Sequence, residues 1–339
     1  MSYHDDIRAV ALLQLPWQKL DNCNILVAGA SGLIGSCFVE VLMARPIRSY
    51  HVYAMGRNQR RLEQLFSKYE SDERFHVVIG DVTEPLSIQD PIHYMIHAAS
   101  GAAPSEFSSH PVEVMKANIN GVISLMEYGI QHQMTRFLYI SSGEIYGEGD
   151  GHMFTENDSG YVNCNLPRSC YPSSKRAAET LCASYAAEYG ADVVIARPCH
   201  IYGPNFTETD NRVYAQFIRN ILNGEDIILK STGEQFRSWC YVVDCVSALF
   251  YILLMGSSGE AYNIADSSSV LTIRQLADML AEIGHCKVVT TVPSETERKG
   301  FNPVKKSVYS IDKIQKLGWR VFESMKVKMD KTVSSLKDL

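Results

Sequence analysis

The chain has 339 residues, a formal net charge of −6 and nine cysteines without a C-x-x-C pair. This length allows one large core or two smaller ones, so a cofactor domain with a substrate domain is the natural division. The charge argues against a nucleic-acid partner, and the cysteine spacing argues against a metal site and a disulfide framework. Residues 1–14 do not resemble a signal peptide and the longest apolar run, 248–255, cannot cross a bilayer, so we expect a cytoplasmic protein without a membrane partner.

The first predicted strand ends in a glycine-rich turn, because residues 25–35 read ILVAGASGLIG and a helical apolar pattern follows. Gly29 allows the tight turn, Gly32 lets the backbone approach a pyrophosphate, and Gly35 lets the helix pack on the strand. The first N–H groups of the helix then face the phosphates. An ordinary structural turn is the alternative, because such glycine spacings are not specific. The predicted dinucleotide site consists of Gly29, Ser31, Gly32, Leu33, Ile34 and Gly35.

The second predicted strand, 51–55, ends without the acidic residue that binds the ribose 2′-hydroxyl of NAD. Arg57 and Asn58 follow it, with Arg60 or Arg61 nearby, and a guanidinium matches the geometry of a 2′-phosphate. We therefore expect tightly bound NADP, with NAD as the alternative. The structural alternative is an exposed helix start with ordinary surface arginines.

Later strands also end in residues suited to a cofactor. Asp81 follows strand 75–79 and can reach the adenine amino group, and the small residues after strand 94–97 leave room for the cofactor against the backbone. The alternation of strands and helices predicts an α/β fold with a parallel, doubly wound sheet, which binds ligands at the carboxyl ends of its strands. The candidate cofactor residues in these segments are Asp81, Val82, Ala98, Ala99, Ser100, Asn118 and Pro198.

Three residues form a candidate catalytic group. Tyr171 and Lys175 are four residues apart on a predicted helix, 171–189, and therefore share one face. A nearby ammonium and a cationic nicotinamide favour the phenolate form of Tyr171, which then serves as a base. Ser142 stands at the end of strand 137–140 and can bond the oxygen that Tyr171 deprotonates. The alternatives are a plain surface pair and a hydroxyl that caps the backbone.

These motifs, taken in order, resemble those of the extended short-chain dehydrogenase/reductases that act as nucleotide-sugar epimerases, dehydratases and decarboxylases. The resemblance is carried by residues 29–35, 81–82, 97–100, 141–147, 171–175, 197–198, 202–204 and 237–244. It implies a Rossmann domain, 1–197, that also receives 237–268, and a smaller nucleotide-sugar lobe, 198–236 and 269–339. It implies a nucleoside-diphosphate sugar as substrate, oxidised at C4 in the first step. The implied substrate-binding residues are Pro104, Ser142, Gly143, His200, Arg212, Arg237 and Arg298.

Glu144 bears on the type of reaction. The resemblance implies a sugar 4,6-dehydratase or a UDP-glucuronate decarboxylase, because both carry glutamate at this position. A C4 ketone acidifies the C5 proton, so Glu144 can act as the C5 base of a dehydratase, or else it is paired structurally. In a decarboxylase the C4 ketone lies β to the C6 carboxylate, and CO₂ leaves without an acid. The similarity to decarboxylases is strongest at 97–104, 167–171 and 175–180.

Three departures from the family pattern leave other reactions open. Gly143 stands where dehydratases carry an acid, His200 stands where the family has asparagine, and 298–304 lacks the decarboxylase spacing of arginine and proline. The alternatives are a 4-epimerase, an NADPH-dependent 4-keto-sugar reductase and a non-catalytic cofactor-binding protein. The resemblance also implies a homodimer, built on the helices that carry Asn118 and Tyr171.

Overall fold

A seven-stranded parallel sheet forms the centre of the fold in the computed structural model, which describes residues 2–208, 210–293 and 304–337. Its strand order is β10-β6-β5-β4-β1-β2-β3, and every neighbouring pair is parallel. The α/β prediction is therefore confirmed. The strands are β1 (Asn24–Ala28), β2 (His51–Gly56), β3 (Phe75–Ile79), β4 (Tyr94–His97), β5 (Arg136–Ile140), β6 (Val193–Pro198) and β10 (Ala261–Ile264).

Helices cover both faces of this sheet. On β1, Ile25 and Val27 belong to one buried core, whereas Leu26 and Ala28 belong to another. This alternation shows that each face has its own apolar layer, which explains why the strand reads as an unbroken hydrophobic run. The helices are α1 (Tyr3–Ala11), α2 (Leu33–Ala44), α3 (Gln59–Phe66), α4 (Pro104–Ser109), α5 (Pro111–Gln131), α6 (Cys170–Tyr189) and α8 (Val242–Met255).

The remaining strands form two small sheets beside the carboxyl edge of the large one, and four helices in the described part of the chain accompany them. Strand β9 pairs with β7, β11 and β13, and β8 pairs with β12. Residues 236–241 thus belong to a small sheet, whereas 261–264 join the large one. These elements are β7 (His200–Tyr202), α7 (Val213–Leu222), β8 (Ile227–Leu229), β9 (Phe236–Tyr241), β11 (Val270–Thr272), α9 (Ile273–Gly284), β12 (Val288–Thr290), β13 (Lys306–Ser307), α10 (Asp312–Gln315) and α11 (Met325–Lys337).

No helix in the described ranges is long and apolar enough to cross a membrane.

Candidate active site

The glycine turn lies between β1 and α2, as the sequence predicts. Gly29 has φ +86°, and a Cβ there would lie 2.5 Å from the backbone nitrogen of Ala99. A Cβ at Gly35 would overlap the carbonyl oxygen of Gly29, so the helix reaches this strand only because residue 35 is glycine. Gly32 is the N-cap of α2 and has no side chain above the first turn of the helix. The turn therefore fits a pyrophosphate, with Ser31, Leu33 and Ile34 around it.

The end of β2 presents an exposed cation. The Arg57 side chain is 78% exposed, and its Nη1 lies 3.6 Å from Oδ2 of Asp81 at the end of β3. The Asn58 side chain caps α3 by accepting a bond from the Arg61 backbone N–H. Arg61 itself donates to the Ser31 carbonyl over 2.9 Å, which joins this helix to the glycine turn. Arg57 is thus accessible to a phosphate, and Asp81 is a competing partner.

Residues after β4 and on α5 form the wall across from the turn. Ala98 donates its backbone N–H to Ala28, and Ala99 lies against Gly29. Asn118 is buried and donates to Ser174 over 2.9 Å, which links α5 to α6. The Ser100 hydroxyl and the Asn118 carbonyl oxygen are buried without a partner in the described residues. These orphaned groups suit a polar ligand in the adjoining space. The two remaining predicted cofactor residues are Val82, in the segment that follows β3, and Pro198, the last residue of β6.

The structure brings Ser142, Tyr171 and Lys175 together. The Ser142 hydroxyl accepts a bond from the Glu144 backbone N–H over 3.1 Å and lies close enough to Tyr171 to lower the pKa of its hydroxyl. Lys175 Nζ lies 5.7 Å from the centre of the Tyr171 ring. Lys175 is buried and donates to the Ile140 carbonyl over 2.7 Å. Burial lowers the pKa of Lys175 to about 7. Helix α6 thus presents both groups at the carboxyl end of β5, where the reacting sugar would bind.

In the protein alone the pKa of Tyr171 is raised, and Lys175 is not among the groups that shift it most. Burial and the charge of Glu144 raise this pKa to about 12, against the opposing effects of the Ser142 hydrogen bond, Arg212 and Arg168. Lys175 uses its ammonium group on the Ile140 carbonyl instead.

Glu144 forms a two-pronged ion pair with Arg168. Nη1 of Arg168 lies 2.8 Å from Oε2 of Glu144, and Nη2 donates to Oε1 over 2.9 Å. Arg168 also stacks over Phe107, with its Cζ 4.9 Å from the ring centre. Phe107 in turn stacks on Tyr171 at 4.8 Å. Both carboxylate oxygens of the predicted C5 base are therefore held by a neighbouring cation.

Tyr309 explains why residue 143 is glycine. A Cβ at Gly143 would overlap Cζ of Tyr309 and lie 2.6 Å from its hydroxyl oxygen. Tyr309 is buried and approaches Gly143 from the chain that follows β13. An acidic side chain at position 143 has no space in this packing.

A cavity of about 590 Å³ opens beside Glu144. Predicted residues Pro104, Glu144, His200, Arg212 and Arg237 line it, together with Arg168 and Trp239, whereas Ser142, Gly143 and Tyr171 are not part of its wall. Arg298 lies outside the described residues. Arg168 and Trp239 stand in the motifs 167–171 and 237–244, but neither was assigned a role from the sequence. Tyr309 was not predicted and has no sequence signal.

The charged groups of the cavity have different partners. Arg212 donates through Nε to both oxygens of Asp210, each over 3.0 Å. Arg237 donates to the backbone carbonyls of Phe236 and Val304, both over 2.8 Å. Burial, with Arg237 next, lowers the pKa of His200 to about 3, so this ring is neutral. The wall therefore suits an anionic group such as a diphosphate.

A dinucleotide turn and a separate, largely apolar cavity with several arginines, at the carboxyl edge of one parallel sheet, indicate a cofactor-dependent enzyme. The family model described as "NAD dependent epimerase/dehydratase family" matches residues 25–265, and the chain belongs to this family. It is thus an enzyme of the extended short-chain dehydrogenase/reductase type, and the description of its family model names NAD as the cofactor of the family.

Named relatives agree with the family and differ in reaction. UDP-glucuronic acid decarboxylase 6 of Arabidopsis thaliana is 32% identical over 82% of this chain and 80% of its own length. UDP-glucuronic acid decarboxylase 1 of Xenopus tropicalis is 28% identical over 92% and 72%, respectively. Among solved structures, the dTDP-glucose 4,6-dehydratase of Streptomyces venezuelae, with NAD bound, has a TM-score of 0.80 at 24% identity and covers 93% of this chain and 97% of that one.

Proposed function

We propose that this enzyme decarboxylates a nucleoside-diphosphate hexuronate through a 4-keto intermediate, with UDP-glucuronate as the first substrate to test. The observation that carries the proposal is the bidentate pairing of Arg168 with both oxygens of Glu144. The Arg168 cation stabilises the ionised form of Glu144 and so disfavours transfer of the C5 proton to it, whereas loss of CO₂ from a β-keto acid needs no base. The packing of Tyr309 on Gly143 also leaves no room for a second acid that would protonate a departing hydroxyl.

In this mechanism Tyr171 removes the proton of the C4 hydroxyl, and Ser142 holds the same oxygen in line. The bound nicotinamide supplies hydride acceptance at C4 and later its return. The C5–C6 bond then breaks, its electron pair forms the enolate across C5 and C4, and CO₂ leaves. A proton from solvent water adds to C5, and Tyr171 returns the proton it took to the C4 oxygen at the end. The cofactor is therefore regenerated in each turnover.

The finer cofactor preference is also part of the proposal. Arg57 is exposed at the end of β2 and can pair with a 2′-phosphate, which supports tightly bound NADP. The Asp81 carboxylate, 3.6 Å from Arg57, competes with a 2′-phosphate for the guanidinium. NAD remains the alternative, to be separated by measuring both dissociation constants.

The resemblance to the family also implies a homodimer and a division of the chain into two lobes. Helices α5 and α6 pack against each other, and α5 exposes Val112 and Met115 while α6 exposes Tyr189. We propose that two copies meet on these helices, which light scattering of the purified protein tests. The expected division assigned 1–197 with 237–268 to the cofactor domain, and 198–236 with 269–339 to the substrate lobe. Because β9 (Phe236–Tyr241) pairs with β7, β11 and β13, we propose to count this strand with the substrate lobe.

The second candidate is a 4,6-dehydratase, because Glu144 stays on the cavity wall. Mass spectrometry of products from UDP-glucuronate, dTDP-glucose, UDP-glucose and GDP-mannose, without added reductant, separates the two. Loss of CO₂ from UDP-glucuronate supports the proposal, whereas loss of water from a hexose supports the dehydratase. Conversion without a change in mass indicates an epimerase, and turnover only with NADPH and a 4-keto sugar indicates a reductase.

The Glu144→Gln variant sharpens this test. It should abolish dehydration, because the amide cannot take the C5 proton, but should largely spare decarboxylation. A decarboxylating enzyme that loses all activity in this variant would show that Glu144 has a chemical role that the ion pair conceals.

A further inference from the structure

The guanidinium of Arg168 has donors that the Glu144 pair does not use. A guanidinium carries five N–H donors in a plane, and the two bonds to Glu144 take only one from each terminal nitrogen. Nε of Arg168 is buried without a hydrogen-bond partner in the described ranges. An unpaired buried donor costs free energy, so this edge is suited to an acceptor that arrives with a ligand.

The surroundings keep this guanidinium in place. Its plane lies over Phe107, and its side chain is only 17% exposed, although it reaches the cavity wall. Phe107 also stacks on Tyr171. Phe107 therefore holds Arg168 on the side of the cavity that faces Tyr171, the predicted base.

The charges on this wall leave room for an additional anion. Arg212 has Asp210 as its counter-charge, and Arg168 has Glu144. Arg237 donates only to the uncharged carbonyls of Phe236 and Val304 in the bonds described above, so its charge is not offset by those partners. These three arginines with Asp210 and Glu144 sum to one positive charge, and Lys230 is a further cation on the wall.

We infer that Arg168 is a specificity-determining residue that binds an acidic group at C6 of the sugar, with its guanidinium shared between that group and Glu144. The inference rests on the proposed function, because it assumes a nucleotide sugar in this cavity. A C6 carboxylate would accept hydrogen bonds from Nε of Arg168 and from the second N–H of a terminal nitrogen. A neutral C6 hydroxymethyl group would gain much less binding free energy from these donors because it carries no charge. Glu144 weakens the same site by its own negative charge.

The test compares two ligands that differ only at C6, UDP-glucuronate and UDP-glucose. Their dissociation constants are measured by calorimetry on the full-length protein with Tyr171→Phe, which prevents turnover, in the presence of NADP. We expect the parent to prefer UDP-glucuronate. Arg168→Gln should reduce this preference by about 10-fold or more, since hydrogen bonds between charged groups are lost.

Two further variants make the result specific. Glu144→Gln should increase the preference for UDP-glucuronate, because the competing charge is gone and Arg168 remains. Arg176→Gln is the matched control: this α6 arginine donates to the Ile145 and Gly160 carbonyls and does not line the cavity, so the preference should stay unchanged. If Arg168→Gln does not fold, the direction of the Glu144→Gln change decides.

The outcomes separate the inference from the proposed function. A parent that binds neither ligand refutes the proposed function, and the inference falls with it. A parent that binds both ligands while Arg168→Gln weakens them equally refutes the inference alone. An equal preference in the parent, or a Glu144→Gln preference that decreases, likewise overturns the role of Arg168.

Discussion

The contact between Gly143 and Tyr309 gives the most direct test of how the site is packed. In Gly143→Ala, the new methyl group would lie 2.6 Å from the Tyr309 hydroxyl oxygen and 2.8 Å from its Cε1. Optimal contacts are about 3.5–4.0 Å, so roughly an ångström of overlap must be relieved. Tyr309 is 3% exposed and cannot turn into solvent. Overpacking of this kind costs about 1–3 kcal/mol.

A second effect of Gly143→Ala raises the free energy of unfolding. Replacing glycine by alanine restricts the unfolded chain and stabilises the fold by about 0.4–1 kcal/mol where the backbone is compatible, and Gly143 is not in the left-handed region. We therefore expect a net loss of about 1–2 kcal/mol in the free energy of unfolding. In a Tyr309→Leu background the ring atoms are gone, and the same Gly143→Ala change should be neutral or stabilising.

The assay is urea unfolding of the four proteins of this double-mutant cycle, followed by tryptophan fluorescence. Gly80→Ala is the control, because its methyl group would meet only the flexible end of Met55, at 3.0 Å. If Gly143→Ala costs as much in the Tyr309→Leu background as it does in the presence of Tyr309, the reasoning is refuted.

Three other changes have defined outcomes. Tyr171→Phe should reduce product formation by about 10²-fold or more while nucleotide-sugar binding is retained, and full activity in this variant would exclude Tyr171 as the base. Lys175 has a pKa of about 7 in the fold against the ordinary 10.5, so the folded state binds fewer protons and stability is lost as the pH falls from 10.5 towards 7. Relative to Lys175→Met, the cofactor-free protein should gain about 2 kcal/mol in unfolding free energy between pH 7 and pH 9, and an identical pH response would contradict this assignment. Arg57→Ala should weaken NADP binding by about 10-fold and leave NAD binding unchanged, whereas an equal loss for both would show that Arg57 does not contact the 2′-phosphate.

Local patterns predicted the framework of the fold well. The predicted helix 171–189 is observed at Cys170–Tyr189, where the left-handed Gly190 ends it. By contrast, α4 (Pro104–Ser109) was not predicted, since six residues are too few to show a period. Length thus decided which elements could be recognised.

The candidate site likewise has features that the sequence predicts and features that it does not. The glycine turn and the Tyr171/Lys175 spacing are local features and could be predicted, whereas the pairing of Glu144 with Arg168 depends on how the loop before α6 folds back. Contacts of this kind leave no period or motif spacing in a sequence. The same holds for Tyr309, which reaches Gly143 only when the small sheets are assembled.

The Glu144–Arg168 pair links the electrostatics of the base to the choice of substrate. Burial already disfavours the Tyr171 phenolate, and Glu144 adds a negative charge that disfavours it further. Arg168 acts in the opposite direction on the same hydroxyl, as does Arg212. A carboxylate placed in this cavity without Arg168 would therefore make Tyr171 a poorer base. The residue inferred to select an acidic sugar is also one of the residues that keep the phenol usable, so both properties depend on one guanidinium.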